Sequence, residues 1–267
     1  MTTIKELSNL KGRRVLITGA AGRLGKVMSE TLAELGADLV LVDLLESDIE
    51  SLSGKLTNRW NVKVETYCCN LENYSQRSDL IDWVKGDKQK LNILINNAAF
   101  VGASDLNGWS VPLEEQTIET WQRALEVNLT SVFDLSKGLT PKLKKSGHAS
   151  IINIASIYGV LGPDYSLYEG TKMGNPAAYA ASKGGLIQLT RWLSTTLAPI
   201  VRVNAISPGG IFSGQPSDFV KRYESKVPLE RMGSEEDLKG IIAFLASDLS
   251  SYITGQNIMV DGGWSAW

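Results

Sequence analysis

The sequence predicts an α/β fold in which a doubly wound parallel sheet of about seven strands carries helices on both faces. Two observations lead to this prediction. Short apolar runs alternate with helix-length segments about six times along the chain, which is typical of strand–helix–strand crossovers. Most runs consist of consecutive Val, Ile and Leu residues, and this indicates strands buried on both faces. With 43% apolar residues among 267, the chain can bury a sizeable core.

The predicted elements alternate from end to end without an internal repeat. The strands are the short apolar runs Arg14–Thr18, Leu39–Val42, Val62–Tyr67, Ile93–Ile95, Ser150–Ile154, Val201–Ile206 and Ile258–Val260. The helices are the longer segments between them, Leu24–Leu35, Glu46–Arg59, Ser75–Lys85, Thr117–Lys145, Pro176–Thr196 and Ser234–Ala246. No Ser-rich or Pro-rich linker divides this pattern, so residues 1–267 are predicted to form one domain.

Three stretches interrupt the alternation, at residues 100–116, 157–175 and 209–226. Each follows a predicted strand and so emerges at the carboxyl edge of the sheet. Open α/β sheets bind their ligands at this edge. We therefore expect these loops to determine which substrate is bound.

Composition and charge narrow the class of partner. The 27 basic and 29 acidic residues give a net charge of −2, which offers no electrostatic basis for binding nucleic acid or an acidic membrane surface. No run of about 18 apolar residues predicts a membrane span. The two cysteines, Cys68 and Cys69, are sequence neighbours and are expected to stay reduced, and the first residues contain no apolar leader, which favours the cytoplasm. No His or Cys cluster has the spacing of a metal site.

A glycine-rich turn follows the first predicted strand and leads into the first helix. Residues 18–25 read TGAAGRLG. Glycines let the backbone approach a pyrophosphate closely, and a helix start offers unpaired N–H groups and a positive dipole end. The candidate cofactor-binding residues in this turn are Gly19, Gly22, Arg23, Leu24 and Gly25. From this motif alone, a tight turn without a ligand is the alternative.

Asp43 adds a second signal, because it follows the second predicted strand and lies 18 residues after Gly25. A carboxylate at this place can accept hydrogen bonds from the ribose of NAD, and it repels the additional phosphate of NADP. Arg23 opposes this preference, since a basic residue in the turn can pair with that phosphate. The sequence favours NAD as the cofactor, with a solvated acid at a strand end as the alternative interpretation of Asp43.

Tyr179 and Lys183 lie one helical turn apart on the same face of a predicted helix, for which Asn175 is the expected N-cap and Pro176 the first residue. A nearby ammonium lowers the pKa of a phenol, as a general acid or base for alcohol–ketone interconversion requires. Tyr168 and Lys172 have the same spacing, but the glycines and the proline around them argue against a helix there. An amphipathic helix with a surface lysine is the alternative for Tyr179 and Lys183.

With these residues in place, the chain resembles the short-chain dehydrogenase/reductase family over nearly its whole length. The matching motifs occur in the family's order: TGAAGRLG at 18–25, Asp43, NNAA at 96–99, VNLT around Asn128, Ser156 after IINIA, YAASK at 179–183, SPGG at 207–210 and ITGQNIMVDGG at 253–263. The resemblance implies a Rossmann-type domain, a nicotinamide cofactor, a small-molecule substrate and a homotetramer or homodimer.

The resemblance also implies roles for individual residues. Tyr179 would be the acid/base, Lys183 would lower its pKa and hold the ribose, Ser156 would bind the reacting oxygen, and Asn128 would hold a water linking Lys183 to solvent. Tyr179 and Lys183 would also contact the cofactor. The remaining cofactor contacts would come from Asn70, Leu71, Asn97, Ala98, Ala99, Pro208, Gly209 and Ile211.

The chain departs from the family pattern at several places. Arg23 stands where the family usually has Gly, and Asn70 replaces an Asp whose acceptor role an amide oxygen can still perform. Ser156 and Tyr179 are 23 residues apart, about ten more than in simple members, so residues 157–175 contain an insert predicted to lie beside the substrate.

The insert, the loop after Phe100 and the ending DGGWSAW are similar to a bacterial subgroup found with surface-sugar pathways, such as those of nonulosonic acids and flagellin-modifying sugars. Here Trp109, Trp264 and Trp267 are candidates to stack on a sugar ring, and Asp105, Asn107 and Glu169 to bind its hydroxyls. Filling of the core or of a subunit contact is the alternative for these Trp residues.

These observations favour an NAD(H)-dependent oxidoreductase that interconverts an alcohol and a carbonyl, with a sugar or nucleotide sugar as the candidate substrate. One alternative is a nucleotide-sugar epimerase or dehydratase with a retained NAD. The other is an NAD-sensing protein without catalysis, against which the joint presence of Asn128, Ser156, Tyr179 and Lys183 argues.

Overall fold

The computed structural model describes residues 1–101 and 106–267, and a seven-stranded parallel sheet lies at its centre. The strands are β1 (Arg14–Thr18), β2 (Asp38–Asp43), β3 (Val64–Cys68), β4 (Ile93–Asn96), β5 (Ala149–Ile154), β6 (Val201–Pro208) and β7 (Asn257–Val260). Their order across the sheet is β3-β2-β1-β4-β5-β6-β7. Each predicted strand is present with its ends shifted by at most two residues, which confirms the predicted fold class.

Six of the α-helices in the described residues pack on the two faces of this sheet, three on each face. The α-helices are α1 (Ile4–Ser8), α2 (Arg23–Glu34), α3 (Ile49–Trp60), α4 (Tyr74–Gly86), α5 (Ile118–Leu125), α6 (Ser131–Ser146), α7 (Ala177–Leu197), α8 (Ser217–Glu224) and α9 (Lys239–Ala246). Within the two described ranges, none of them combines the length and the hydropathy that a membrane crossing requires.

Neighbouring residues of the central strands enter two different cores. In β1, Val15 and Ile17 pack against α2, α3 and α9, whereas Leu16 packs on the opposite face against α4, α6 and α7. A strand that buries both faces needs an apolar residue at every position. This explains why the strands are unbroken apolar runs in the sequence.

The crevice for a ligand is set by the strand order. β1 pairs with β2 on one side and with β4 on the other, so the chain crosses back over the sheet between β3 and β4. Ligands bind in open α/β sheets at this reversal, outside the carboxyl ends of the strands. The turn after β1 and the segment after β4 therefore meet at one place.

The predicted helix Thr117–Lys145 is wrong as a single α-helix. It consists of α5, a π-helical segment at Glu126–Thr130, and α6. A π-helical segment widens the backbone hydrogen bonding without ending the helix, so the apolar periodicity continues through it. Such segments are frequent at functional sites, and this one contains Asn128.

Two other predictions need correction. α7 begins at Ala177, and Pro176 is its N-cap because its backbone is extended (φ −65°, ψ 145°). Asn175 is therefore not the cap, and its buried Nδ2 has no hydrogen-bond partner among the described residues. The predicted loop 209–226 contains the helix α8, whose Phe219 and Tyr223 lie four residues apart and are both buried.

Arg77 joins α4 to the π-helical segment from a buried position. Its guanidinium is paired with Glu126 at 2.6 Å and with Asp134 at 3.1 Å, and it also donates to the Leu71 carbonyl. The side chain is only 2% exposed. Because Leu71 is one of the predicted cofactor-binding residues, this hydrogen bond fixes the backbone in that part of the cofactor site.

We expect Arg77→Met to lower the free energy of unfolding by about 3 kcal/mol, because it leaves Glu126 and Asp134 without their buried cation. Denaturant unfolding measures this change. Lys85→Met is the matched control, since Lys85 lies on the same helix in an exposed pair with Asp82 at 3.8 Å and should have little effect. Equal losses of unfolding free energy in Arg77→Met and Lys85→Met would contradict the stabilising role given to the buried Arg77 ion pairs.

Candidate active site

The turn after β1 packs directly against the segment after β4. The hydroxyl of Thr18 accepts hydrogen bonds from the backbone N–H groups of Asn97 and Ala98, both at 3.1 Å. Gly19 has a φ of +64°, and a Cβ there would lie 2.8 Å from the Cα of Ala98. The close approach and the positive φ both require glycine at this position.

Gly25 brings the start of α2 against the same turn. A Cβ at Gly25 would lie 2.1 Å from the carbonyl oxygen of Gly19, so only glycine fits between helix and turn. Gly22 is the N-cap of α2 and forms no side-chain cap. The first N–H groups of a 12-residue helix and its positive dipole end thus face the crevice without a side-chain acceptor, as a pyrophosphate site requires.

These elements enclose a cleft of about 500 Å³. All of the cofactor-binding residues predicted in the first 99 positions line it: Gly19, Gly22, Arg23, Leu24, Gly25, Asp43, Asn70, Leu71, Asn97, Ala98 and Ala99. Sequence reasoning missed Val42, Leu44, Cys69, Glu72, Phe100, Val101 and Val127, which also line it. Most of these are direct sequence neighbours of predicted residues, and that adjacency was the available signal.

Asp43 ends β2 and holds the glycine-rich turn. One of its carboxylate oxygens accepts from the N–H of Ala21 at 2.7 Å, and the other accepts from the N–H of Leu44 at 2.8 Å. Each oxygen has a second lone pair for a ligand hydroxyl. Asp43 therefore stands at the cleft as a fixed acceptor and also fixes the backbone of the turn.

The guanidinium of Arg23 already has two partners in the structure. Its guanidinium forms an ion pair with Glu235 and donates a hydrogen bond to the carbonyl of Phe212. Both partners follow β6, so Arg23 connects the glycine-rich turn to the loop after that strand. The side chain is half exposed, and the carboxylate of Glu235 offsets its positive charge.

The two asparagines of the cleft differ in how they are held. Asn97 donates from Nδ2 to the carbonyls of Thr18 and Gly19 at 3.0 and 2.9 Å, so its side chain stabilises the turn. The side-chain oxygen of Asn70 accepts from the N–H of Glu72 at 2.9 Å, within an exposed turn. That oxygen keeps a second lone pair for the acceptor role implied for it.

Tyr179, Lys183 and Ser156 meet where β5 ends beside α7. The ammonium of Lys183 donates to the carbonyl of Ile154 at 2.8 Å and lies 5.7 Å from the centre of the Tyr179 ring. The Ser156 side chain lies close enough to the phenol of Tyr179 to act on its pKa. The helical spacing and the strand end thus bring together three side chains that are up to 27 positions apart.

Burial dominates the electrostatics of this group. It lowers the pKa of Lys183 to about 8, because desolvation disfavours an ammonium. Burial also raises the pKa of Tyr179, and the Ser156 side chain opposes that shift. Desolvation outweighs the effect of Ser156, so the pKa of the phenol lies above its ordinary value in this structure.

Asn128 holds the π-helical segment against its surroundings. Its side-chain oxygen accepts from the N–H of Phe100 at 2.6 Å, and its Nδ2 donates to the carbonyl of Phe100 at 3.2 Å and to Ser182 Oγ at 3.0 Å. Ser182 precedes Lys183 on α7. Asn128 is fully buried and connects the segment after β4 to the helix of the Tyr–Lys pair.

The residues predicted to cover the nicotinamide lie at and after the end of β6, and two of them line a second cavity. Pro208 ends β6, while Gly209 and Ile211 line this cavity of about 460 Å³ together with the chain that follows β7. The N–H of Gly210 donates to the Tyr223 hydroxyl at 2.6 Å. Sequence reasoning did not find Tyr223, because it lies on the unpredicted helix α8.

The predicted sugar platform is only partly met. Trp109 is 2% exposed and packs edge-on against Phe100, with its N–H donating to the Val101 carbonyl, so it fills the core. Trp264 stacks on Tyr223 with ring centres 4.7 Å apart, whereas Trp267 is 81% exposed. Among the predicted hydroxyl-binding residues Asn107 and Glu169 are exposed, and Asp105 lies outside the described residues.

Known proteins resemble this chain over nearly its full length. A family model described as Enoyl-(Acyl carrier protein) reductase matches residues 19–265. The 3-oxoacyl-[acyl-carrier-protein] reductase FabG of Thermotoga maritima is 33% identical over 95% of this chain and 98% of its own length. An NADP-dependent mannitol dehydrogenase of Alternaria alternata is 30% identical over 98% and 96%. Post-translational flagellin modification protein A of Campylobacter coli is 28% identical over 96% and 99%.

Solved structures agree with the sequence comparison. A short chain dehydrogenase from Leptospira borgpetersenii serovar Hardjo-bovis, solved with bound NAD+, superposes with a TM-score of 0.84 and 32% identity, covering 99% of this chain and 96% of that one. The strand order, the glycine-rich turn and the Tyr–Lys pair on α7 all fit this similarity. The chain belongs to the short-chain dehydrogenase/reductase family of oxidoreductases.

Proposed function

We propose that the protein is an NAD(H)-dependent oxidoreductase that interconverts an alcohol and a carbonyl, with Tyr179 as the acid/base. The observation that carries this proposal is the meeting of Tyr179 with Ser156 beside the buried ammonium of Lys183. An alcohol–carbonyl interconversion needs one group that exchanges a proton with the reacting oxygen and a second that holds that oxygen. Tyr179 and Ser156 supply these two groups.

The cradle of the first βα turn fits a dinucleotide. Gly19, Gly22 and Gly25 leave the backbone open to a pyrophosphate, the N-terminus of α2 faces it, and Asp43 offers acceptors for the ribose. When bound, the nicotinamide supplies or accepts the hydride. The side chains of this protein supply position and proton transfer.

In the reductive direction, Ser156 and Tyr179 each donate a hydrogen bond to the carbonyl oxygen, and the phenol proton of Tyr179 moves onto it. Because burial raises the pKa of Tyr179, this proton is present at neutral pH. The ammonium of Lys183, held by the Ile154 carbonyl, stabilises the phenolate that remains. Asn128 anchors the helix of this pair through Ser182. We also propose that Asn128 binds a water molecule through which a proton returns from solvent to Lys183 and Tyr179.

The charges of the cleft support NAD over NADP. Among the described residues that line it, Arg23 is the single cation, and Asp43 and Glu72 are acidic. Arg23 is engaged by Glu235, so its charge is offset before a phosphate arrives. An additional phosphate on the ribose would meet the carboxylate of Asp43 without a free cation beside it.

We expect wild-type protein to prefer NAD, and we expect Asp43→Asn to shift the ratio of kcat/KM for NAD over NADP toward NADP by about tenfold, since it removes one repelling charge. Initial rates with both cofactors measure this ratio. Asp38→Asn is the matched control, because Asp38 is the same residue type at the opposite end of β2 and binds the N–H of Lys63.

Asp38→Asn should leave the ratio of kcat/KM for NAD over NADP unchanged. Thermal unfolding of both variants is needed as well, since Asp43 also holds the Ala21 N–H and its loss can loosen the turn. A wild-type preference for NADP, or equal shifts in the two variants, would overturn the assignment of NAD.

A polyhydroxylated substrate is the finer part of the proposal. The similarity to a flagellin modification protein and to a mannitol dehydrogenase favours it. The test is a screen of polyols, sugars, nucleotide sugars and acyl thioesters by absorbance of NADH. Turnover restricted to acyl thioesters would refute the sugar assignment, and no net NADH with a tightly held cofactor would favour an epimerase or dehydratase.

A further inference from the structure

Residues 157–175 and 217–227 form one unit, which we call the cap. The guanidinium of Arg222 on α8 donates to the carbonyls of Leu167 and Glu169 at 3.0 and 2.7 Å. Lys226 forms an ion pair with Asp164 and donates to Ser166 Oγ at 2.8 Å. The insert and α8 are thus fastened to each other by charged side chains.

The interior of the cap is aromatic and apolar. Leu167 is fully buried and packs with Phe219 and Tyr223 of α8. Tyr168 lies 5.6 Å from the Phe219 ring, and Tyr223 stacks on Trp264. This packing gives the side chains of the insert fixed positions, in contrast to those of a loose loop.

One polar pair lies within this unit. The phenol oxygens of Tyr158 and Tyr168 are 2.6 Å apart, a hydrogen-bond distance. In the described part of the chain, neither phenol has another hydrogen-bond partner. Two phenols have two protons, and their mutual bond uses one, so the pair keeps one free donor together with free lone pairs.

The backbone at Tyr158, from which this pair extends, lies beside the proposed catalytic group. The N–H of Tyr158 donates to Ser156 Oγ at 3.2 Å. A Cβ on Gly159 would lie 2.8 Å from the carbonyl carbon of Lys183, so the next residue touches the backbone of α7. The backbone of Tyr158 is therefore held by its own bond to Ser156 and by the contact of Gly159 with the Tyr–Lys helix.

The electrostatics agree with this placement. Burial raises the pKa values of Tyr158 and Tyr168, and the Tyr179 phenol contributes to raising both. The two phenols consequently stay neutral at physiological pH and lie within electrostatic reach of Tyr179. Neutral phenols recognise hydroxyl groups by hydrogen bonding and offer no charge to a carboxylate or a phosphate.

We propose that the Tyr158–Tyr168 pair binds a substrate hydroxyl on a carbon next to the reacting one, and thereby selects polyhydroxylated alcohols over simple ones. This inference rests on the proposed function, since it places the reacting carbon at Tyr179 and Ser156. The free donor and the free lone pairs match a hydroxyl, which both donates and accepts. A substrate with only methylene groups there would leave the partly buried pair without its partner, which is costly.

The test compares two ring alcohols that differ by one neighbouring hydroxyl, trans-1,2-cyclohexanediol and cyclohexanol. Wild-type kcat/KM with NAD should be at least about tenfold higher for the diol. Tyr168→Phe keeps the ring that packs on Phe219 but removes one phenol oxygen. It should reduce the ratio of the two kcat/KM values to near one, mainly through KM for the diol, and Tyr158→Phe should do the same.

Tyr165→Phe is the matched control. Tyr165 lies in the same short turn, and its side chain is 64% exposed, so its loss of a hydroxyl should leave the ratio unchanged. Thermal unfolding of all three variants reports whether the cap stays folded.

The outcomes separate this inference from the proposed function. If wild type oxidises both rings equally, or if the diol preference survives in both Tyr158→Phe and Tyr168→Phe, the inference is wrong while the oxidoreductase assignment stands. If wild type turns over neither ring but does oxidise another alcohol of the screen described above, the inference is wrong and the oxidoreductase assignment stands. If it turns over neither ring and no member of that screen with NAD(H) or NADP(H), the proposed function fails, and the inference fails with it.

Discussion

Tyr179→Phe is expected to lower kcat by about 10²–10⁴-fold, because it removes the phenol that exchanges a proton with the reacting oxygen. The ring remains, so packing against Trp109 and Ala178 should be kept. Binding of the cofactor should change little, since the lining of the large cleft does not include this hydroxyl. Initial rates in both directions and a titration of NADH fluorescence measure the two effects.

The direction of the pH dependence follows from the raised pKa of Tyr179. Reduction needs the protonated phenol and should be sustained at neutral pH, whereas oxidation needs the phenolate and should increase with pH. Tyr165→Phe serves as the control, because its exposed hydroxyl lies outside the proposed catalytic group. Normal turnover in Tyr179→Phe would show that another group, with Tyr168 as the next candidate, is the acid/base.

The part of the site that could be predicted from sequence is the part built from short contiguous segments. The glycine-rich turn, Asp43 and the segment after β4 each follow a strand end, and parallel strands bring their carboxyl ends to one edge. Tyr179 and Lys183 were found because helical spacing alone fixes their relation. In all these cases, local geometry determines where the side chains go.

The missed features join segments with no shared periodicity. The Tyr158–Tyr168 hydrogen bond and the Lys226–Asp164 pair depend on how two irregular loops pack, and no local pattern encodes that. For Trp109 the sequence left a ligand surface and core filling both open, since an aromatic residue in a loop suits either, and the structure has it in the core.

The pKa of Tyr179 shows a different limit. The sequence revealed the opposite charge one turn away, but the shift is decided by desolvation, which depends on everything packed around the ring. The spacing of residues along a helix identifies the neighbours of a titratable group. It does not determine how deeply that group is buried.

Lys183→Met is expected to abolish most turnover and also to change how stability depends on pH. Burial lowers the pKa of Lys183 to about 8, against a usual value of 10.5. Between these two values the unfolded chain binds one proton more than the folded chain, so the free energy of unfolding of wild type increases with pH. Below pH 8 both states carry the proton, and the cost of the buried charge is present in full.

The measurement is the difference in the free energy of unfolding between wild type and Lys183→Met at pH 7, 9 and 10.5, in which the titrations shared by both proteins cancel. The free energy of unfolding of wild type, relative to that of Lys183→Met, should increase by on the order of 3 kcal/mol as the pH increases. Lys172→Met, at the exposed lysine of the other Tyr–Lys spacing, should give a constant difference and normal turnover. A constant difference for Lys183→Met as well would mean that this ammonium is not desolvated, and the proposed stabilisation of the Tyr179 phenolate would lose its physical basis.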